Sequence, residues 1–512
     1  MYKGPKRFLS TMILCGLAMS AHAASYDVVI SGARVVDPET GFDQVANIGV
    51  INDQIAIITS DALSGSREID ASGLIAAPGF IDLHAHGQDL YGLRIGALDG
   101  KTTQIDLETG SYPVQDYYEL QKGRSVSNYG TSVGHSMVRA AVMDGVDPQG
   151  PGLILGLLER TSANGNQWAA RRSSDEELDQ IDNMLSDDLR DGALGIGVLA
   201  GYYKNESSEA IARAAKIAAD NDSFFTVHAR YISLLQPTGA LGIQEMIALS
   251  ASYDVPLLIH HLPTNALADT KFVLGLIDEA NANGARISAE MFPYEHGTTY
   301  IGTEMLDEGW QERMDMDYSD LSWVETGETL TKESFDFYRR EQPHGWYIMN
   351  HIKAADMKLA LKHPSVMIGS DSTVYVDENG KMMEEDSPFG AGLGHPRSAG
   401  SYATYLRMAI DGVDLSLPDI LGKTSLLPAQ FLEEIVPDMA KRGRLQEGAY
   451  ADITIFDPET VSSPAGYEGG TNSLPSVGIN YVVVNGVVVV DDGNIVEGEY
   501  PGAPIRAPRQ VN

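Results

Sequence analysis

The feature that most constrains the fold is an alternation, across the middle of the 512-residue chain, of short apolar runs with segments of helical periodicity. A parallel sheet with helical crossovers requires such an alternation. Eight candidate strands can be counted, at residues 80–83, 103–107, 131–138, 194–198, 224–227, 256–259, 287–291 and 366–369. Eight β/α units are typical of a closed barrel, which takes about 250 residues or over 400 with insertions. The sequence therefore predicts an α/β protein built on a (β/α)8 TIM-like barrel.

Both ends of the chain have β patterns instead. Short β segments occupy residues 26–31, 45–51 and 54–58 near the start, and residues 451–456, 479–484 and 487–490 near the end. Asn485-Gly486, between the last two runs, is a strong hairpin signal. We expect the two ends to meet in a small β-sandwich, contributed by residues 24–75 and 436–512, beside a barrel at residues 76–435.

One connection inside the predicted barrel is unusually long. Residues 302–342, between candidate strands seven and eight, are acidic and rich in aromatic side chains. Long connections in compact domains are usually functional or disordered. We interpret this stretch as a lid or a side insertion.

The first 23 residues predict a secretory signal peptide. Lys3, Lys6 and Arg7 form a positively charged head, an apolar run follows at residues 8–19, and residues 21–23 (AHA) supply the small residues of a cleavage site. The alternative, a membrane anchor, needs about 20 apolar residues. We therefore expect a periplasmic or secreted protein with no membrane insertion after signal cleavage.

Cysteine content and charge exclude several kinds of site and partner. Cys15 is the only cysteine and lies in the predicted signal peptide, so the mature chain would hold no disulfide and no thiolate ligand. Any metal site must then use histidines and carboxylates. The formal net charge is −35, which makes nucleic acid and anionic membranes poor partners. We expect a small-molecule substrate, and the sequence leaves an oligomer possible.

Residues that bind metals or transfer protons follow several candidate strands. They are His84 with His86, Glu108, His228, His260 with His261, and Asp371. In β/α barrels the functional residues lie at the carboxyl ends of the strands, and side chains two residues apart leave a strand on the same side. Any one of them could be an ordinary hydrogen-bonded residue. Their coincidence at one end of a barrel indicates a metal site, and imidazole with carboxylate suits zinc or another borderline divalent cation.

Two motifs resemble the opening and closing signatures of the amidohydrolase superfamily, namely residues 77–86 (APGFIDLHAH) and 443–452 (GRLQEGAYAD). Further motifs resemble, in order, its N-acyl-D-amino-acid deacylase, or D-aminoacylase, branch. They are residues 227–230 (VHAR), 259–261 (IHH), 292–294 (FPY), 369–371 (GSD), 394–397 (GHPR) and 424–429 (TSLLPA). The resemblance covers roughly residues 26 to 500, and the ordered set is far more specific than any single motif.

The resemblance implies a metal centre of one or two zinc ions. His84 and His86 would hold one ion, and His228 and His260 the other. His260 is favoured over its neighbour His261 because it stands at the strand end and in the matching position of the motif.

A bridging ligand between the ions is the first departure from the family pattern. The best-known deacylases use a cysteine there, and other amidohydrolases use a carbamylated lysine on the fourth strand. This chain has neither at the matching places. Glu108 is therefore the candidate bridge, because its two oxygens can reach two ions.

The resemblance also implies hydrolysis of the amide bond of N-acyl amino acids, with N-acyl-D-amino acids the expected substrates. Asp371 would act as general base and then acid, and Arg397 and Tyr294 match positions that bind the substrate carboxylate. A lysine that commonly follows the paired histidines is replaced here by Leu262-Pro263. Dipeptidase, cyclic amidase and lactonase activities remain alternatives. A more distant one is a catalytically silent barrel with a binding role.

Overall fold

The computed structural model describes residues 25–147, 154–203, 205–468 and 470–509, together with Met1 and Gly4. The predicted signal peptide lies outside the described residues apart from Met1 and Gly4. Within the described ranges, no helix is both long enough and apolar enough to cross a membrane.

The described residues form twenty strands. They are β1 (Tyr26–Asp37), β2 (Phe42–Ile51), β3 (Gln54–Thr59), β4 (Gly65–Asp70), β5 (Ile75–Pro78), β6 (Phe80–Asp82), β7 (Lys101–Ser111), β8 (Asn128–Gly134), β9 (Gly195–Leu199), β10 (Phe224–His228), β11 (Leu257–Ile259), β12 (Ile287–Met291), β13 (His296–Tyr300), β14 (Leu321–Trp323), β15 (Trp346–Asn350), β16 (Val366–Ile368), β17 (Ile453–Phe456), β18 (Ile479–Val484), β19 (Val487–Asp491) and β20 (Asn494–Ile495).

Sixteen α-helices connect and cover these strands in the described part of the chain. They are α1 (Leu90–Leu98), α2 (Val114–Gln121), α3 (His135–Asp144), α4 (Ile154–Thr161), α5 (Gln167–Ala170), α6 (Asp175–Arg190), α7 (Ser208–Asp220), α8 (Gly239–Tyr253), α9 (Leu262–Ala266), α10 (Thr270–Ala282), α11 (Trp310–Met314), α12 (Lys332–Glu341), α13 (Ala354–Lys362), α14 (Arg397–Ile410), α15 (Leu417–Leu421) and α16 (Leu427–Glu433).

Eight parallel strands form the predicted barrel. Their order is β6-β7-β8-β9-β10-β11-β12-β16, so that each strand pairs with the next one along the chain. Beyond the strand ends the sheet closes through a parallel bridge between Ala85 and Ser372. There the His86 amide donates to the Ser372 carbonyl at 2.8 Å. All eight predicted strands overlap a barrel strand, and the predicted fold class is confirmed.

The third predicted strand, residues 131–138, extends too far. β8 ends at Gly134 and α3 begins at His135. Met137 and Val138 are buried on this helix. A short apolar run reports burial without distinguishing a strand from a helix that packs on the sheet, and this is why the boundary was missed.

The amino-terminal end of the barrel is filled, which leaves the carboxyl end for the site. Phe431 on α16 stacks on Phe224 at the start of β10, with ring centroids 4.2 Å apart. Leu432 and the interior residues Ile81 and Leu258 belong to the same buried cluster. The cavity and its chemistry therefore lie where the strands end.

Both chain ends build one β domain, as expected. Its nine-stranded sheet follows the order β20-β19-β18-β17-β5-β1-β2-β3, with β4 also paired to β1. Residues as distant along this path as Ile55 on β3 and Ile453 on β17 share one buried core. The Ile55 amide donates to the Ala449 carbonyl at 2.9 Å, just before β17. The sheet therefore folds over on itself around a single core, as in a sandwich.

The predicted insertion belongs to a separate layer between β12 and α13. Strands β13, β15 and β14 form a small antiparallel sheet. Trp323 on β14 stacks on Tyr338 of α12 at 3.9 Å, and Trp310 on α11 stacks on Phe335 of α12 at 5.7 Å. The aromatic residues that marked this stretch in the sequence thus form its own buried core.

Candidate active site

The first barrel strand delivers two histidines to the carboxyl end. His84 and His86 follow β6, and their Nε2 atoms lie 3.0 Å apart. Their outer nitrogens are held by carboxylates. His84 Nδ1 lies 2.7 Å from Glu290 Oε1, and His86 Nδ1 lies 3.0 Å from Asp106 Oδ2. This arrangement fixes both rings with Nε2 facing a common centre, as outer carboxylates do for metal-binding histidines.

Glu108 stands at that centre. Its Oε2 lies 3.3 Å from Nε2 of both His84 and His86. Its Oε1 lies 2.8 Å from His261 Nε2 and 3.2 Å from His228 Nδ1. One carboxylate thus faces a histidine pair with each oxygen, which is the geometry expected of a shared ligand.

The structure places His261, rather than His260, beside Glu108. His261 has a left-handed backbone, with φ +32°, and its amide donates to Glu290 Oε1 at 2.5 Å. His260 lies behind it, with Nδ1 3.2 Å from Glu290 Oε1. Among the described residues, His228 and His261 group with Glu108, whereas His260 groups with His84 and Glu290. The choice of His260 as ligand thus remains a prediction.

Buried nitrogens without a partner indicate that the cluster is built for a cation. Within the described part of the chain, His228 Nε2, His260 Nε2 and His261 Nδ1 are buried and make no hydrogen bond. Buried polar atoms are nearly always satisfied, so such orphans call for a ligand. Imidazole nitrogens with a carboxylate form the donor set of a borderline divalent ion. The residues present fit one or two such ions.

The electrostatics of the cluster agree with this assignment. Burial would lower the pKa of His84, but the negative charges of Asp371, Glu108 and Glu290 outweigh it and hold that pKa well above its ordinary value. Burial would raise the pKa of Glu108, but the charges of His84 and His261 hold it well below its usual range. The carboxylates thus stabilise positive charge at this position. A divalent ion would supply that charge in place of the protons that the histidines release on binding it.

Asp371 and Arg397 form a buried pair beside the histidines. Asp371 follows β16 in a left-handed conformation, φ +52°, and its Oδ1 lies 2.8 Å from Arg397 Nη2. The same oxygen lies 3.3 Å from His84 Nε2. Burial would raise the pKa of Asp371, but the charges of Arg397 and His84 outweigh it, so that its pKa lies below the ordinary value. Arg397 also packs over the Phe292 ring at 4.9 Å.

A cavity connects these groups. The space between its atoms, part of it open to solvent, is about 670 Å³. Polar groups line one part of it, and residues 297–349 of the antiparallel layer supply much of the rest. Its described lining is His86, Glu108, Thr109, Leu199, Tyr202, His228, Ile232, His261, Thr264, Phe292, Gly297, Thr298, Thr299, Met305, Trp346, Met349, Asp371, Thr373 and Arg397.

Tyr294 is a predicted site residue outside the described cavity lining. Its ring packs edge-on against His395, with centroids 5.5 Å apart, and it is not among the described residues that line the cavity. Its role as a substrate ligand remains a prediction.

Sequence reasoning missed the carboxylates that hold the histidines. Asp106 precedes Glu108 by two residues on β7 and therefore leaves that strand on the same side. Glu290 lies within the apolar run of β12 and is almost fully buried. A charged residue inside a predicted buried strand is the signal that could have found both, because an acid is rarely buried without a partner.

Fold and site together define a class: a β/α-barrel enzyme with an imidazole and carboxylate metal site at the carboxyl end of its strands. The chain belongs to the amidohydrolase family, whose sequence profile matches residues 67–490. The resemblance to the amidohydrolase superfamily is thereby confirmed.

Two curated relatives and one solved structure show how far the similarity extends. The N-acyl-D-glutamate deacylase of Alcaligenes xylosoxydans xylosoxydans is 26% identical, covering 90% of this chain and 93% of its own. The D-aminoacylase of the same organism is 26% identical, covering 91% and 94%. The crystal structure of N-acyl-D-glutamate deacylase from Bordetella bronchiseptica, complexed with zinc and a phosphonate inhibitor, is similar with a TM-score of 0.72. At 24% identity it covers 94% of this chain and 100% of that one.

Proposed function

We propose that this chain is an exported, zinc-dependent deacylase that hydrolyses the amide bond of N-acyl amino acids, with N-acyl-D-amino acids as the expected substrates. One observation carries the proposal: Glu108 faces a histidine pair with each oxygen, beside the Asp371–Arg397 pair in one cavity. The names of the two curated relatives support the substrate class.

The metal residues would be His84, His86, Glu108 and His228, with His260 or His261 completing the set. When bound, zinc supplies Lewis acidity, which polarises the scissile carbonyl and lowers the pKa of a water from 15.7 to about 7.

Asp371 is the group that moves the proton. Its pKa is held low, so the carboxylate is ionised and able to accept a proton from the attacking water. It then delivers this proton to the leaving nitrogen, as a general acid. Arg397 keeps Asp371 in place through its Nη2 contact of 2.8 Å.

Arg397 also has a donor that no described residue uses. Its Nε is buried and, among the described residues, has no hydrogen-bond partner. A substrate carboxylate beside the scissile amide would accept from this nitrogen, and charged hydrogen bonds of this kind are the stronger ones. Export follows from the first 23 residues of the sequence and is part of the same proposal.

A substrate panel tests the proposed function. The zinc-loaded chain without residues 1–23 is assayed with N-acetyl and longer N-acyl forms of D- and L-amino acids, dipeptides, cyclic amides and lactones. An Asp371→Asn variant serves as the control for contaminating hydrolases. We expect N-acyl amino acids to be the best substrates by kcat/KM. Faster turnover of dipeptides, cyclic amides or lactones would replace the proposed activity with that one, and no turnover of any would favour a binding role.

A further inference from the structure

We propose that Asp82, Lys101 and Ser370 form a buried positioning cluster that holds the two halves of the active site in register. One half, after β6, carries the metal ligand His84, and the other half, after β16, carries Asp371. The inference rests on the proposed function and deepens it, because it assigns the alignment of the proton-transferring group to other residues. None of the three is among the described residues that line the cavity, so they act through their neighbours.

The junction between the first and last barrel strands, which we call the seam, differs from the other junctions of the sheet. Ladder hydrogen bonds join each barrel strand to the next from β6 through to β16, but in the described part of the chain no ladder joins β16 back to β6. Backbone contact across the seam begins only beyond the strands. There the Ser372 amide donates to the His84 carbonyl at 3.2 Å, and the His86 amide donates to the Ser372 carbonyl at 2.8 Å. The strands themselves need another means of fixing their register.

The Asp82 carboxylate supplies that means. Its Oδ1 accepts from the amides of His84 and Ser370, at 3.1 Å each, so that one oxygen ties the backbone on both sides of the seam. Its Oδ2 accepts from Lys101 Nζ at 3.0 Å and from the Ser370 hydroxyl. All three side chains of the positioning cluster are fully buried. Because a carboxylate offers about four acceptor sites, these four donors occupy it completely.

Ser370 extends the positioning cluster to the backbone around Asp371. Its hydroxyl oxygen accepts from the Ser372 amide at 3.1 Å and from Lys101 Nζ at 3.2 Å. Asp371, between the two serines, has a left-handed backbone with φ +52°, which a residue with a side chain seldom adopts. Such a conformation persists where the surrounding contacts fix it. Here the amides before and after Asp371 are both bound to the cluster.

Lys101 has a further contact that bears on the seam. Its Nζ lies 5.6 Å from the centroid of the Tyr402 ring. The Tyr402 hydroxyl lies 3.3 Å from the Ile81 carbonyl and 3.4 Å from the Ile368 carbonyl, one on each side of the seam. A buried ion pair contributes little net stability compared with apolar residues of similar volume, so stability alone does not explain a lysine here. Its contacts bear instead on the alignment of β6 with β16.

Alignment across the seam determines the distance between the two halves of the site. Asp371 Oδ1 lies 3.3 Å from His84 Nε2 and 3.5 Å from His86 Nε2. A general base must lie within hydrogen-bond reach of the proton that it abstracts. A displacement of about 1 Å can slow an enzyme about 100-fold. Loss of the positioning cluster should therefore lower kcat, whereas substrate binding should change little.

Ser370→Ala in the zinc-loaded enzyme is the first test, because it removes the hydroxyl that connects Asp82 to the Ser372 amide and leaves the ion pair in place. We expect kcat to fall about 10–100-fold, with KM within about threefold of wild type. Zinc content should be unchanged, since no metal contact is removed. Ser250→Ala is the matched control: Ser250 is also buried, donates to the Val255 carbonyl at 2.7 Å and is not among the described lining residues. It should leave kcat unchanged.

A double-mutant cycle separates positioning from a general structural effect. Adding Ser370→Ala to Asp371→Asn should lower the residual kcat by less than about threefold, because the group that Ser370 aligns is already lost. Asp82→Asn should lower both kcat and zinc affinity by about 10–100-fold, because Asp82 also holds the His84 amide. Should Asp82→Asn fail to fold, the cycle with Ser370→Ala decides the question by itself.

Hydrogen exchange monitors the seam without substrate. In the metal-free protein, Ser370→Ala should speed amide exchange in the peptide that spans residues 369–376, because its backbone is released on one side. The rest of the barrel should exchange as in wild type. The control Ser250→Ala should leave this peptide unchanged.

Three results would overturn the inference. They are a kcat of Ser370→Ala within about threefold of wild type, an equal loss of kcat in the Asp371→Asn background, and unchanged exchange at residues 369–376. Failure of the proposed function is a separate outcome. If the wild-type enzyme hydrolyses no N-acyl amino acid, the proposed function is wrong, and the exchange experiment still decides whether the positioning cluster holds the seam.

Discussion

Glu108→Gln is the substitution that most directly perturbs the metal centre. The side chain keeps its shape, but one oxygen becomes an NH2 group and the charge is lost. The wild-type carboxylate has four imidazole nitrogens at 2.8–3.3 Å, two on each oxygen. Glutamine can retain a ligand oxygen on one side only, and it has no negative charge to offer on either side.

The size of the effect follows from these contacts. A hydrogen bond to a charged group contributes about 1.5–3 kcal/mol, and we take the same value for the interaction lost on each side of the carboxylate. Two such losses amount to about 3–6 kcal/mol, and each 1.4 kcal/mol is tenfold. We therefore expect zinc to bind about 10²–10⁴-fold more weakly, with kcat/KM falling in parallel at limiting zinc.

Competition with a chromogenic chelator, together with metal analysis after dialysis, measures the change. Glu290→Gln is the comparison for which we expect a smaller effect. This carboxylate contacts Nδ1 of His84 and of His260, on the side away from Glu108. Loss of such an outer contact typically lowers metal affinity about 10–100-fold. Glu333→Gln, on the exposed surface of α12, should change nothing. If Glu108→Gln binds zinc within about threefold of wild type, or binds it better than Glu290→Gln does, Glu108 is not the shared ligand.

Three further expectations concern the groups around the metal centre. Asp371→Asn should leave zinc content unchanged and slow kcat by about 10²–10⁴-fold, because the proton acceptor is lost; near-normal kcat would place the proton transfer elsewhere. Arg397→Met should reduce kcat/KM for free N-acyl amino acids far more than for the matching amides or esters, and an unchanged acid-to-amide ratio would make Arg397 purely structural. Lys101→Met should lower the free energy of unfolding in urea by about 3–5 kcal/mol, because Lys101 Nζ lies 3.0 Å from Asp82 and both side chains are fully buried. The exposed Lys122→Met serves as its control, and an equal, small effect of both would contradict the buried-pair argument.

The barrel could be predicted from the sequence because each of its strands is a short apolar run between helical segments. The strand ends could also be located, which brought His84, His86, Glu108, His228 and Asp371 into one expected cluster. The structure does bring these residues together. Register along a strand fixes which residues leave it at the carboxyl end, so position in the sequence was sufficient.

What could not be predicted depends on contacts between distant segments. The choice between His260 and His261 depends on a left-handed turn at His261 and on Glu290, 29 residues further along the chain. The Asp371–Arg397 pair likewise depends on how the loop after β16 returns to α14. Neither a local sequence pattern nor a secondary-structure propensity predicts contacts between such distant segments. Glu290 is different, because a charged residue within a predicted buried strand is itself a signal in the sequence.

The measurement that tests the central claim most directly is a titration of the metal-free chain, lacking residues 1–23, with zinc while hydrolysis of the best N-acyl amino acid substrate is followed. We predict negligible turnover without metal, a rise in activity that saturates at one or two equivalents of zinc per chain, and no recovery in Glu108→Gln at the same zinc concentration. Full turnover by protein whose measured metal content is well below one ion per chain would contradict a metal-dependent site at Glu108 and its histidines.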